Sequence, residues 1–330
     1  MRTRTRPGAV RRTKLRTHPA VMAWVAVTGR GRAPDSLALL GESVVPPVVT
    51  YRLGGVGEGG GAVVARRAPA DVILLERTIY ERVLPQVPVT APRYYGSCLD
   101  GAAGWLFIED VGEARCSPAV PDHLALAGRW VATLHVAAAR LGGPDGLPES
   151  GPPRYLRHLR AARAKIHACL GRWHLASSEI EVLVALLALS DVIESRWAHI
   201  EAGCLGAPAT LVHGHFRPER AALRIDRDGV PSLLPMHWER AGWGPPSVDL
   251  TRIDVAAYWN VVHDDWPGVD LSTVRRLAAT GRVLEAIAAA DWACESLQLE
   301  HVESRSTTVA DLAVLLEQLE QAATAAHLLA

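Results

Sequence analysis

Residues 211–250 read LVHGHFRPERAALRIDRDGVPSLLPMHWERAGWGPPSVDL. An apolar lead-in runs into the pair His213-Gly214. A loop follows, then a second apolar run that ends at Met236. Trp238-Glu239 and a Gly/Pro-rich turn close the stretch at Asp249-Leu250. Asp226 and Asp228 lie between the two halves and are of the type that turns favour.

The spacing resembles the catalytic segment of the aminoglycoside phosphotransferase and choline-kinase family. There the pattern reads H-G-D-x-x-x-x-N, a short hairpin, I-D-W-E and a later D-L. The frame is kept at His213-Gly214, Trp238-Glu239, residues 242–246 and Asp249-Leu250. The chemical positions differ. His215 stands where the family has its first aspartate, Arg220 where it has asparagine, and His237 where it has the second aspartate.

The resemblance implies an α+β, two-lobed protein-kinase-like fold. A small antiparallel-sheet N-lobe with one helix would cover residues 19–112. A large, mainly helical C-lobe would cover 113–330 and hold the remnant catalytic loop 211–250. The resemblance also assigns roles. Arg66 matches the third-strand lysine that steadies nucleotide phosphates, and Glu76 matches the helix glutamate that pairs with it. The backbone from Glu109 to Val111 would form the hinge that meets an adenine. His213 is expected to be structural, and Asp249 to brace the loop from below. The loop that covers phosphates in the family falls at residues 42–50, here ESVVPPVVT. It has no glycine, so close backbone approach to a phosphate is hard.

Phosphoryl transfer needs a group to orient the acceptor hydroxyl, oxygen ligands for Mg²⁺ and a clamp on the phosphates. Imidazole, guanidinium and imidazole are a poor match to a hard cation, and a protonated guanidinium has no lone pair to offer one. Retained frame with replaced chemistry is the pattern of a pseudokinase. Readings of His215, Arg220 and His237 therefore stay open: a cleft filled by its own side chains, an anion site gripped by Arg220 and Arg66, and an imidazole metal site using His215, His237 and a third ligand such as His213. The expectation is no resident metal. ATP without Mg²⁺ or another phosphate-type anion is the ligand the pocket would suit.

Elsewhere the chain alternates turn signals with periodic segments. Residues 18–27 and 34–40 read as short helices, and 44–53 as two short strands bent by Pro46-Pro47. The glycines of 54–61 make a turn without the Lys-Ser/Thr ending of a phosphate loop. Residues 62–67 and 105–108 read as strands, and 72–84 as a helix. Residues 121–141 form a helix with Asp122 as its cap. Helices follow over 154–170, 179–200, 276–297 and 309–329.

Thirty-five basic and thirty-five acidic residues balance overall, yet unevenly. Residues 1–18 carry seven Arg/Lys and no acid, and read as a flexible basic tail. Arg154, Arg157, Arg160 and Arg163 recur every third residue as a positive stripe. Such patches suit an acidic protein or peptide partner. No nucleic acid is expected, and no apolar run approaches the ~18 residues of a membrane span. Five scattered cysteines without metal-ligand spacing fit a reducing cytoplasm. The resemblance suggests a degenerate binding or scaffold component, in a setting such as bacterial ribosomal-peptide maturation by Ser/Thr dehydration beside a partner enzyme. Its rivals are an active ATP-dependent phosphotransferase on a small molecule or peptide hydroxyl, and a metal-dependent enzyme using His215 and His237.

Overall fold

The computed structural model describes residues 15–29, 33–43, 47–143, 146–172, 175–298 and 302–329, without the side chains of 298 and 302–307. The chain order begins with α1 (Pro19–Thr28), β1 (Ser36–Ser43), β2 (Val48–Gly54) and β3 (Val63–Pro69). Next come α2 (Ala70–Thr78), β4 (Tyr94–Asp100) and β5 (Ala103–Glu109). The helices α3 (Pro121–Leu141), α4 (Pro152–Arg172), α5 (Ser177–Ser195) and α6 (Trp197–Gly203) follow. Short strands β6 (Thr210–Val212), β7 (Ala222–Ile225), β8 (Pro231–Leu234) and β9 (Gly242–Gly244) precede α7 (Val255–Val262), α8 (Leu271–Cys294) and α9 (Val302–Ala325). The chain packs as two units: residues 1–116 with 219–239, and residues 117–218 with 240–330. The β7–β8 hairpin thus groups with the first unit, although in sequence it lies far inside the second lobe.

In the first unit five strands pair antiparallel in the order β1-β2-β3-β5-β4. β5 lies inside the sheet between β3 and β4, and its alternate side chains serve two faces. Trp105 and Phe107 point to one face, where Trp24 of α1 meets the Phe107 ring edge-on at 5.4 Å. Leu106 and Ile108 point to the other, where they line a cavity. His18 caps α1 by accepting from the Ala20 N–H at 3.2 Å. Leu15 is buried in the same core, so the basic segment 1–18 ends in packed structure. Its residues 1–14 lie outside the described residues.

Residues 34–40 are not a helix. They enter β1, which pairs with β2 from Ser36↔Gly54 to Ser43↔Val48. Asp35 before an apolar run imitates a helix cap, but its N–H bonds the Gly54 carbonyl at 2.9 Å instead. Pairing with a neighbouring strand overrides the local signal. β4, YYGSCLD, was marked by no expected strand; it pairs along β5 with a shift between Tyr94 and Gly96 that breaks its alternation. The turn between β1 and β2, where the phosphate-covering loop was expected, includes residues 44–46, which lie outside the described residues.

The second unit is helical around α8, whose buried side chains pack with α4, α5 and α9 in one core. Asp122 lies inside the first turn of α3; Val120 holds the cap position and offers no side-chain bond. The helix expected over 179–200 breaks at Arg196 into α5 and α6. The five cysteines are free thiols. No helix among the described residues is long and apolar enough to cross a membrane.

Gly281 sits at the closest approach of α8 to the turn Pro246–Leu250, where a Cβ would run into the Ser247 carbonyl oxygen. Alanine gains about 1 kcal/mol of helix propensity over glycine. Here the obstacle is backbone that cannot rotate away, and overpacking costs ~1–3 kcal/mol. Gly281→Ala should therefore lower stability in urea unfolding, whereas Gly171→Ala, on α4 with open space around it, should raise it. Equal responses would contradict this packing.

Candidate functional site

In the first unit, β3 carries Arg66 and α2 carries Glu76 into one buried cluster. Arg66 Nη1 donates to Glu76 Oε1 at 2.6 Å. Arg66 Nη2 lies 3.3 Å from Glu239 Oε2. The Trp238 N–H donates to Glu76 Oε1 at 3.0 Å, tying the segment after β8 to α2. Among the described residues, Arg66 Nε and Glu76 Oε2 are buried without a hydrogen-bond partner. Two carboxylates thus share one guanidinium. Burial pushes the Glu76 carboxyl up, and although Arg66 pulls it down, nearby Glu239 reinforces the rise.

This cluster forms one end of a cavity of about 320 Å³. Val64, Leu106 and Ile108 give it an apolar wall, while Asp110, Val111 and His237 sit at its margin. Arg52 pairs with Asp110, whose Oδ1 also accepts from the Gly112 N–H at 3.1 Å. The Val111 N–H makes no hydrogen bond among the described residues. Glu109 does not line the cavity; its carboxylate accepts from the Arg93 N–H at 3.1 Å and pairs with Arg224. His237 has φ 70°, the left-handed region that non-glycine residues seldom occupy. Arg220 ends the short turn Pro218–Arg220, is exposed, and makes no ion pair or hydrogen bond among the described residues.

In the second unit the catalytic-loop frame rests on Asp249, which is fully buried. Its carboxylate accepts from the N–H groups of His213 and Gly214 at 2.6 and 2.9 Å. His135 of α3 places Nε2 3.3 Å from Asp249 Oδ2 and Nδ1 3.0 Å from the Tyr258 hydroxyl. Gly214 has φ 77°, and a Cβ there would strike the Arg240 carbonyl oxygen. Only glycine fits this turn.

His215 follows directly. Arg217 Nε donates to its Nε2 at 3.2 Å. A guanidinium only donates, so this imidazole nitrogen is the acceptor and the ring proton sits on Nδ1. Arg217 in turn lies 3.0 Å from Glu285 of α8. The His215 ring stands edge-on to Trp292 at 5.3 Å, and Arg240 stacks over the same indole at 4.2 Å. Arg217, Glu285 and Trp292 were not singled out in the sequence. Arg217 sits two places beyond His215 in the same loop, which was a usable signal. Glu285 and Trp292 lie far along the chain on a helix that reads as ordinary core.

The arginine stripe on α4 is largely paired within its own unit. Arg160 reaches Glu194 at 2.8 Å, and Arg163 reaches Asp191 at 2.6 Å as well as Glu194. Arg157 lies 3.6 Å from Glu149. Arg154 turns to the Ser150 hydroxyl and the Ala241 carbonyl. The acids come from the preceding loop and from α5, so no local count could show them.

Oxygen donors of the kind Mg²⁺ needs do not stand at 215, 220 and 237. Among the described residues no three His, Cys, Asp or Glu side chains are placed to share a metal ion. The donor set therefore does not fit the family's metal.

A raised Glu76 pKa has a sign that can be tested. The folded state holds a proton that the unfolded chain releases, so stability falls as pH rises from the ordinary carboxylate range towards the raised folded value. Glu76→Gln removes that proton exchange. The melting midpoint of the wild type should decline between about pH 5 and pH 7 more steeply than that of Glu76→Gln, by linkage. Parallel profiles would show that Glu76 titrates normally.

A family model described as the phosphotransferase enzyme family (APH) matches residues 49–293. No curated protein matches the chain significantly. Among solved structures, a macrolide 2'-phosphotransferase from Brachybacterium faecium aligns at 17% identity and TM-score 0.54, covering 89% of this chain and 96% of the other. The GDP complex of aminoglycoside 2'-phosphotransferase-IIIa aligns at 14% and 0.59, covering 90% and 96%. Choline kinase from Cryptosporidium parvum aligns at 10% and 0.60, covering 89% and 91%. At these identities the structures speak to the fold, the kinase-like two-lobed α+β architecture. With the family match running through both the sheet and the 211–250 frame, the chain belongs to the APH phosphotransferase enzyme family.

Proposed function

We propose that this family member binds a nucleotide or related phosphate-type anion in its first unit without transferring a phosphoryl group, and works as a binding component beside a partner. The observation that carries this reading is His215. At the position where the family orients an acceptor hydroxyl, its Nε2 is engaged by Arg217, itself held by Glu285. A ring nitrogen that already accepts from a guanidinium is not available to take a hydroxyl proton. Nucleotide binding is supported by the apolar wall of Val64, Leu106 and Ile108, by the open Val111 N–H, and by the GDP complex of a structural neighbour. Arg66 would contribute positive charge at the cavity's end, although Glu76 and Glu239 hold it.

The partner in this proposal is an acidic protein or peptide, supported by the seven Arg/Lys of residues 1–18. The paired α4 stripe contributes less, because its charges are largely matched by Glu149, Asp191 and Glu194. A reducing cytoplasm is proposed as the compartment, in keeping with free thiols at all five cysteines. Ribosomal-peptide maturation remains the setting the family resemblance suggests.

Calorimetry with ATP, with and without Mg²⁺, tests the reading. The wild type should bind ATP with an affinity little changed by Mg²⁺ and show no turnover. The triple reversion His215→Asp/Arg220→Asn/His237→Asp should make binding Mg²⁺-dependent. Mg²⁺-dependent ATP turnover by the wild type would establish an active phosphotransferase instead.

A further inference from the structure

The second unit holds a separate cleft of about 450 Å³ between α8 and α9. Its floor is apolar, built from Ala286 and Ala289 of α8 with Leu315 and Ala322 of α9. Its rim is cationic. Arg217, Arg252 and Arg282 all line it, against one carboxylate, Glu285. Glu285 is shared by Arg217 at 3.0 Å and Arg252 at 3.2 Å. Arg282, one turn along α8, is exposed and has no ion pair or hydrogen bond among the described residues. Among the described lining residues, three guanidinium groups against one carboxylate leave the rim about two charges positive, counting ionised forms. Gln318 and Gln321 add amide groups from α9 on the opposite side.

We propose that this cleft is a binding site for a small organic oxyanion, a carboxylate or phosphate carried on a compact apolar body. Each feature has a use in that role. Arginine forks grip two oxygens of such a head group at once. The alanine floor accepts a flat or branched apolar body without steric conflict, and the volume lies in the range of small-molecule sites. The glutamine amides can meet a carbonyl or hydroxyl on that body. A cationic ligand would face net repulsion at the rim. The cleft also adjoins His215 through Arg217, so an anion that draws on Arg217 competes with the Arg217–His215 bond. This site does not rest on the nucleotide reading; it is built from different residues in a different unit.

The test uses the full chain and three probes of similar size: phenyl phosphate, benzamide and benzylamine. Binding is read by ligand-detected NMR and calorimetry, each with a saturating ATP arm. Phenyl phosphate should bind at least tenfold more tightly than benzamide, with benzylamine weakest. Arg282→Gln, a change at an exposed side chain, should weaken phenyl phosphate about tenfold while leaving ATP binding unchanged. Ala289→Leu should weaken it by filling the floor. An unchanged melting midpoint in Arg282→Gln confirms that the loss is local. Equal binding of the three probes, no binding of phenyl phosphate at millimolar concentration, or an Arg282→Gln variant that binds it as the wild type does would each overturn the proposal. Phenyl phosphate binding abolished by ATP would assign it to the nucleotide cavity and overturn it as well.

Discussion

One buried carboxylate, that of Asp249, holds the catalytic-loop frame in place. It accepts two consecutive backbone N–H groups, from His213 and Gly214, and meets His135 from α3. A fully buried carboxylate is tolerated only when its oxygens are matched by donors. The arrangement therefore works in both directions. The loop needs the carboxylate to satisfy its N–H groups, and the carboxylate needs the loop to be buried at all. Around it, Thr210 donates to the His135 carbonyl at 2.7 Å, and Gly214 turns the chain where no side chain fits. None of these bonds depends on what stands at position 215.

The substitutions redistribute charge, and the surrounding carboxylates follow a consistent logic. His215, Arg220 and His237 bring imidazole, guanidinium and imidazole to the positions where the family resemblance places two aspartates and an asparagine. Cations near these positions are matched by acids on other elements. Arg217 is met by Glu285, and Arg66 by Glu76 and Glu239. In the first unit the acids outnumber the cation. The raised Glu76 carboxyl is the physical consequence, because burial and a second carboxylate both favour its neutral form.

Much of the fold was legible because its signals are local or belong to a strong pattern. The helices over α3, α4 and α8 follow from apolar periodicity, and β3 and β5 from β-branched and aromatic runs. The frame residues His213-Gly214 and Asp249 were legible because a turn and its brace must sit at fixed spacing. What was not legible arises from distant pairing. Residues 34–40 carry a helix-like cap and apolar run, yet they become β1 because β2 offers a full ladder of partners. The α4 stripe reads as net positive in sequence, yet Glu149, Asp191 and Glu194 neutralise much of it from elsewhere in the unit. The same holds at the site. His215 could be found by spacing, but its bond to Arg217 and the support from Glu285 exist only after α8 is packed.

The charges around His215 are balanced from α8. The imidazole at 215 offers Arg217 Nε an acceptor nitrogen but no negative charge. Glu285 on α8 supplies the acid at 3.0 Å. The same carboxylate also holds Arg252. One glutamate on a helix face thus anchors two guanidinium groups. That negative charge lies in the wall of the α8–α9 cleft. Because one carboxylate cannot match three guanidinium groups, that wall is left with surplus positive charge at Arg282. Arg217 links the two places: it donates to His215 in the loop and lines the cationic rim of the cleft.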